Sequence, residues 1–277
     1  VVLDSLELGR REAVIDAPIV VGDIRDNDLV TATCNEHGVT QLGHFAAYKA
    51  VGESMESPAK YWRNNVAGSV ELFEACLAAG VEDVVFSSSC SVNGTPPSVP
   101  VVESHPIAPE SVYAESKAMV EKILYWYGQT SPMRSVSLRY FNAAGASVDG
   151  RIGEDWTYSF NLIPHVMKAL LLPDHSMKVF GDDYDTPDGT CIRDYIHVED
   201  LADAHVRALD YLGNGGETTA VNVGTGTGSS VFDVINATAS VAQRPVAHEV
   251  VARRAGDPVS TYADPDHALE TLGWSAK

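Results

Sequence analysis

Basic residues are scarce in this chain. Lysine and arginine number 19 against 38 aspartates and glutamates, for a formal charge of -19. That balance argues against nucleic acid and anionic membrane as standing partners, because both demand a basic surface. It leaves room for a small anionic ligand, since a few arginines can line one pocket of an acidic protein. No stretch approaches the ~18 consecutive apolar residues of a membrane span, and no signal-peptide pattern is read from Val1 onward. The four cysteines, Cys34, Cys76, Cys90 and Cys191, are far apart and form no C-x-x-C. This argues against zinc or any other metal and against a disulfide framework, and favours a reducing cytoplasm. Neither H-E-x-x-H nor a G-x-S-x-G elbow is present. His197 and His205 therefore read as packed or hydrogen-bonded residues near a helix entry.

What is present is ordinary globular material, 277 residues with 45% hydrophobic and 21% charged side chains. This is enough for one large domain or two packed ones. Short β-rich runs alternate with helix-period runs. Val1–Leu3, Pro18–Val21, Leu42–Ala46 and Val84–Ser87 read as strands. Val66, Val70, Phe73 and Leu77 recur at helical spacing, with Gly80 where a left-handed terminating residue belongs. Met119, Val120, Ile123, Leu124 and Tyr127 mark a second helix, and Val136, Leu138 and Tyr140 alternate as a strand. Such alternation predicts a doubly wound α/β fold around a parallel sheet. The second half is more irregular, with acidic, turn-rich loops at 149–155 and 182–189. Helices are expected at 200–212 and 230–241, the latter opened by a Ser-x-x-Asp cap with Asp233. A short helix between Pro265 and Gly273 ends the pattern.

The chemistry-bearing candidates differ in weight. Gly224-Thr-Gly226-Thr-Gly228 imitates a dinucleotide loop, with Glu249 some way beyond. It lies near the end of the chain, however, and its third glycine is one position early for G-x-G-x-x-G, so it reads as a glycine-rich turn. Asp4 ends a strand where a carboxylate can accept hydrogen bonds from an adenine ribose. Tyr113-Ala-Glu-Ser-Lys117 puts a phenol and an ammonium on one helix face, and a nearby cation favours phenolate, a usable general base. Phe86-Ser87-Ser88-Ser89 adds hydroxyls at the carboxyl end of a strand, where parallel sheets bind ligands.

Taken together, a strand-end serine followed by tyrosine and lysine one turn apart resembles the extended short-chain dehydrogenase/reductase superfamily and, within it, the UDP-glucose 4-epimerases. The resemblance runs through His44-Phe-Ala-Ala-Tyr-Lys-Ala-Val-Gly-Glu-Ser54, Asn64-Asn-Val66, Phe86-Ser-Ser-Ser89, Tyr113-x-x-x-Lys117 and Leu138-Arg-Tyr-Phe-Asn142. It continues in Gly189-Thr-Cys-Ile-Arg-Asp-Tyr-Ile-His-Val198 and Arg253-Arg-x-Gly-Asp257. It implies an NAD-binding Rossmann-like domain over 1–142 and 190–222, and a smaller α/β lobe for a UDP-sugar over 143–189 and 223–277. Ser89, Tyr113 and Lys117 are the implied catalytic groups. Asp4 would bind the adenosine ribose and Asp23 with Ile24 would flank adenine. Phe45, Ala46, Ala47, Lys49 and Asn65 would line the cofactor, with Ser87 and Tyr140 near the nicotinamide. Ser89, Asn142, Asn161, Leu162, Lys178, Val179, Phe180, Arg193, Arg254, Asp257 and Thr261 would meet the UDP-sugar, the guanidinium forks suiting its diphosphate. The implied activity is NAD-dependent inversion at C4 through a 4-keto sugar, in a cytoplasmic protein that forms a homodimer.

Related sugar-nucleotide 4,6-dehydratases carry an Asp-Glu pair beside the strand-end hydroxyl, and residues 87–92 offer no carboxylate. Thr261 falls where the family varies between tyrosine and smaller residues, so a UDP-N-acetylhexosamine is expected to fit as well. The resemblance further implies a strand and glycine-rich loop of about 25–30 residues before Val1, and a final helical segment after Trp274. Asn93 stands where the family has tyrosine. The competing expectations are a truncated or degenerate non-catalytic relative that only binds UDP-sugar, and another sugar-nucleotide epimerase of the same superfamily.

Overall fold

The structure, a computed structural model, describes residues 1–157, 159–254 and 256–277. In chain order its elements begin β1 (Val2–Asp4), β2 (Ile19–Val21), α1 (Asn27–His37), β3 (Gln41–His44), α2 (Val51–Glu56) and α3 (Pro58–Tyr61). A wide turn at Trp62–Ala67 leads into α4 (Gly68–Ala78), β4 (Asp83–Ser87), α5 (Val112–Thr130) and β5 (Arg134–Tyr140). There follow β6 (Asn142–Ala144), α6 (Leu162–Leu171), β7 (Met177–Phe180), β8 (Ile192–Arg193), β9 (Tyr195–His197), α7 (Val198–Gly213) and β10 (Thr219–Val223). The chain closes with β11 (Ser229–Ser230), α8 (Val231–Ala242), β12 (His248–Val251), β13 (Ser260–Thr261) and α9 (Asp266–Leu272). Two compact units result.

The first unit comprises Val1–Gly94, Ile107–Arg139 and Ala204–Val221. β3, β4 and β5 pair in parallel register within a sheet ordered β10-β5-β4-β3, and β1 pairs in parallel with β2. Both faces of β4 are covered: all five of its residues are buried, as expected of a parallel strand between helical layers. Val84 and Phe86 pack with Val30 and Cys34 of α1, Phe73 and Cys76 of α4, and Val120 and Leu124 of α5. Val85, Val136 and Leu138 take the opposite face and are fully buried. The helix ends follow local rules. Asp26 accepts from Leu29 N at 3.0 Å to start α1, and Ser111 accepts from Ala114 N at 3.1 Å to start α5. Gly80, at φ +80°, ends the run after α4 in the left-handed region that glycine enters without penalty.

The second unit comprises Thr95–Pro106, Tyr140–Asp203 and Asn222–Lys277. Its sheets are small: β11-β8-β13, β12-β7 and β6-β9. Met177 and Val179 of β7 pack with Val166 of α6 and Val231 and Ile235 of α8. The capping box expected from the sequence is formed, with Ser230 and Asp233 exchanging side-chain and backbone bonds at the start of α8. Trp274 is buried, its Nε1 donating to Asp200 O at 3.1 Å, which ties down the chain after α9.

Most boundaries lie within a residue or two of the sequence pattern, and three of the shifts bear on the argument. β3 ends at His44, so Phe45 and Ala46 lie on the following loop rather than in the strand. α7 starts at Val198, before the apolar repeat begins. Pro265 is the cap of α9, not its first residue. The glycine-rich turn has a structural reason. Asp194, fully buried, accepts from Thr225 N at 2.9 Å, Thr225 Oγ1 at 2.7 Å and Ala263 N at 3.1 Å. The backbone donor that would hold a phosphate in a nucleotide loop holds this carboxylate instead. A Cβ on Gly224 would lie 2.4 Å from Asp194 Oδ2, so only glycine allows the approach.

Candidate active site

Within the first unit the parallel strands deliver their carboxyl ends, and the loops that follow them, where open α/β sheets bind ligands. α5 supplies the reactive face. Tyr113 stands in its first turn, and its backbone N–H, one of the donors a helix start leaves without an intrahelical acceptor, donates to Ser54 Oγ at 3.1 Å. Lys117 lies one turn on and is buried, with Nζ 2.7 Å from Ser87 O, 4.8 Å from the centroid of the Phe86 ring and 5.9 Å from that of Tyr113. Burial, opposed by the Glu121 carboxylate, pushes the Lys117 ammonium down to about 7. The helix N-terminus and this ammonium both favour negative charge at the Tyr113 end. Ser89 is buried and caps a tight turn, its Oγ accepting from Ser91 N at 3.2 Å and Ser91 Oγ at 2.9 Å. Ser87, Ser89, Tyr113 and Lys117, expected to act together, are thus carried by one strand exit and one helix.

The expected cofactor contacts of this unit divide into open and engaged groups. Asp4 Oδ1 accepts from Leu6 N at 2.7 Å, leaving Oδ2 for a ligand, and a Cβ at Gly9 would sit 2.6 Å from Oδ1, so the backbone folds closely over the carboxylate. Phe45 is exposed, its ring stacked on His205 at 4.6 Å. Ala46 and Lys49 are exposed and Ala47 half-buried on the same loop. Ile24 is buried in the core, and Asp23 is held by Arg25 through bonds of 2.8 and 2.5 Å, which keeps its carboxyl below the usual range.

Asn65 is a correction to the sequence reading. It is buried, its Oδ1 accepts from Tyr48 N at 2.9 Å, and its Nδ2 donates to Tyr48 O at 2.9 Å and Ser116 Oγ at 3.1 Å. The amide is fully engaged in pinning the loop to α5, so it positions the loop rather than meeting a ligand. Its neighbour Asn64 is half-buried and lines an open cavity of about 560 Å³ with Arg25, Tyr48 and Arg63. Two adjacent asparagines look alike in sequence, and only the bonding of each tells them apart. His44 is a second group the sequence did not single out. Its Nε2 lies 2.8 Å from Ser69 Oγ, which itself donates to Asn65 O at 2.6 Å. The hydroxyl proton being so used, His44 Nε2–H is the donor. Burial, reinforced by the Lys117 charge, pushes this imidazole down to about 3, so it is neutral.

The second unit groups its expected residues around β8. Arg193 is the Cα partner of Thr261 across the sheet, and its guanidinium lies 3.9 Å from Asp257. Arg254 meets Asp257 through two 3.0 Å bonds and lies over the Phe180 ring at 5.2 Å. Two arginines and one aromatic face are thus grouped around one shared carboxylate. Lys178 and Phe180 point outward from β7, whereas the Val179 side chain is buried in the core, leaving only its backbone for a ligand. The contact expected at Val179 would therefore be made by its backbone, because side chains alternate along a strand. Asn142 lies on β6 with its N–H on Asp194 O at 3.0 Å. Asn161 precedes α6 with Nδ2 on Glu154 Oε1 at 2.9 Å, Leu162 begins that helix, and Tyr140 ends β5 half-buried.

A Rossmann-like α/β fold with strand-end serines facing a tyrosine–lysine pair defines a nicotinamide-dependent enzyme that works on a carbinol carbon. Residues 1–224 match the NAD dependent epimerase/dehydratase family, and the chain belongs to it. It is 48% identical to the UDP-glucose 4-epimerase of Rhizobium meliloti (strain 1021), over 99% of this chain and 84% of that protein. Among solved structures it is similar to UDP-glucose 4-epimerase from Brucella ovis in complex with NAD, with a TM-score of 0.95, 43% identity and coverage of 99% of this chain and 85% of that one. It is equally similar in shape, at TM-score 0.95 and 38% identity over the same shares, to the Stenotrophomonas maltophila enzyme with bound NAD and formylated UDP-arabinopyranose.

Proposed function

We propose that this chain interconverts UDP-glucose and UDP-galactose by inverting C4 of the hexose with NAD. The carrying observation is the set Ser89, Tyr113 and Lys117, with Lys117 fixed on Ser87 O at 2.7 Å. The Asp4 carboxylate under its tight backbone cover and the exposed Phe45 ring fit an adenosine ribose and a planar cofactor group. Asp4, Asp23, Ile24, Asn64 and the 45–49 loop would hold NAD, with Asn65 fixing that loop. NAD held there would supply a reversible hydride acceptor for C4 and would be unchanged over the cycle.

The chain's own groups do the rest. Tyr113, as phenolate, removes the C4 hydroxyl proton and later gives it back. Lys117 favours the phenolate and orients the nicotinamide ribose, and Ser89 donates to the reacting oxygen. The second unit's Arg193 and Arg254, set by Asp257, hold the diphosphate while Phe180 packs beside the nucleotide. Holding the substrate by its diphosphate lets the 4-keto sugar swing and present its other face. The 87–92 segment has no carboxylate for work at C5 and C6, and Glu121, which reaches Ser88, is tied to Arg139; this supports epimerisation over dehydration. The modest size of Thr261 supports a UDP-N-acetylhexosamine as a second substrate.

A homodimer fits the exposed Met119, Tyr125 and Trp126 on α5, and light scattering of the purified protein tests it. Four free cysteines support a cytoplasmic setting.

The test is a coupled assay with UDP-galactose, run on this chain with and without added NAD and on a form extended at its N-terminus by a glycine-rich strand–loop–helix. UDP-glucose from either form supports the reading. No turnover by either form, with UDP-sugar still bound, favours the non-catalytic relative.

A further inference from the structure

The face of α5 that carries Tyr113 and Lys117 continues, four residues on, to Glu121. Glu121 Oε1 accepts from Ser88 Oγ at 2.5 Å. The same carboxylate takes Arg139 of β5 in a fork, Nε at 3.0 Å and Nη2 at 2.6 Å. The pair is buried, with side chains 7% and 11% exposed for Arg139 and Glu121. Ser88 N meanwhile donates to Leu138 O at 2.9 Å, so the first residue past β4 is held by backbone to β5 and by side chain to α5. Lys117 holds the preceding residue through Ser87 O.

Resting on the catalytic reading above, we propose that Glu121 is a positioning residue: through Ser88 and Arg139 it clamps the exit of β4, and so sets where Ser89 stands relative to Tyr113. Two grips one helical turn apart, on consecutive strand residues, fix the strand exit along and across the helix axis. Without the outer grip, Ser87 O remains held but the chain pivots about it, and the Ser89 hydroxyl is the group displaced. Displacement of about 1 Å at a reacting centre costs on the order of a hundredfold in rate.

The carboxylate also acts on Lys117 electrostatically. The groups facing that ammonium are Tyr113 and Glu121 on its own helix, neutral His44 from β3, and the Phe86 ring and Ser87 carbonyl from β4. Arg139 from β5 faces it through Glu121. Glu121 is the anion in this set that favours charged Lys117, working against its burial.

The test uses UDP-galactose and NAD with Ser88→Ala, Glu121→Gln and the charge-free double variant Glu121→Leu/Arg139→Met, which avoids a stranded buried arginine. Ser88→Ala leaves the ion pair intact; its kcat falls about ten- to a hundredfold with KM held within about twofold. In Glu121→Gln, or in the double variant if the single one does not fold, kcat falls similarly and the alkaline limb of its pH profile moves down by about one unit. A merely structural Glu121 would reduce the yield of folded protein and leave that limb in place. Parent-like kcat in Ser88→Ala, or an unmoved limb in the folded Glu121 variant, overturns the clamp. Tyr113→Phe is run in parallel: if it turns over like the parent, the catalytic reading itself fails, an outcome separate from loss of the clamp.

Discussion

Acidification should lower the folding stability of the first unit through one buried imidazole. His44 packs edge-on against Phe73 at 5.7 Å and beside Phe86 at 5.5 Å, and is neutral because burial lowers its pKa from 6.5 to about 3. The unfolded chain therefore takes up a proton at pH 6.5 that the folded one refuses until about pH 3. Stability that is complete above 6.5 is lost as pH falls, by about 1.4 kcal/mol per unit. That amounts to about 2 kcal/mol at pH 5 and levels at roughly 4–5 kcal/mol near pH 3. Urea unfolding of the parent and of His44→Gln at pH 7, 6 and 5 measures the effect. The parent's advantage over the variant shrinks by about 2 kcal/mol between pH 7 and 5. Parallel stability curves for the two proteins would refute the reasoning.

Lys117 gives a slope of the same sign in a higher pH window. Its folded pKa lies below its unfolded 10.5, so the parent gains stability relative to Lys117→Met as pH rises from 7.5 to 9.5, by roughly 2–3 kcal/mol in urea titrations. Gly224→Ala forces a methyl against Asp194 and Ala263, and is expected to lower stability by about 1–3 kcal/mol, read as a reduced urea midpoint. Thr261→Tyr should abolish turnover of UDP-N-acetylgalactosamine while sparing UDP-galactose; no activity on the acetylated sugar in the parent would remove the basis for that expectation.

The alternation of strands and helices was legible because buried parallel strands and amphipathic helices leave periods of their own, as Val84–Ser87 and the Val66 to Leu77 repeat do. The reactive pair was legible because helical spacing alone puts Tyr113 and Lys117 on one face. What a side chain bonds to was not, because partners come from distant segments. Asn64 and Asn65 became distinguishable only once Tyr48 and Ser116 were in place. No local pattern marks Glu121, because its partners Ser88 and Arg139 lie 33 and 18 residues away. The turn at 224–228 was legible as a turn from its place late in the chain and its glycine spacing, but its reason, the Asp194 carboxylate, was not, because no local pattern connects the two.

The central claim is that one hydride leaves C4 and returns to the same carbon while Tyr113 moves the proton. The most direct measurement is conversion of unlabelled UDP-galactose in deuterium oxide, with the isotope content at C4 of the UDP-glucose read by NMR. Protium retained at C4, with conversion lost in Tyr113→Phe, is the predicted result. Deuterium at C4 would mean that the carbon exchanges its hydrogen with solvent, and would contradict the account.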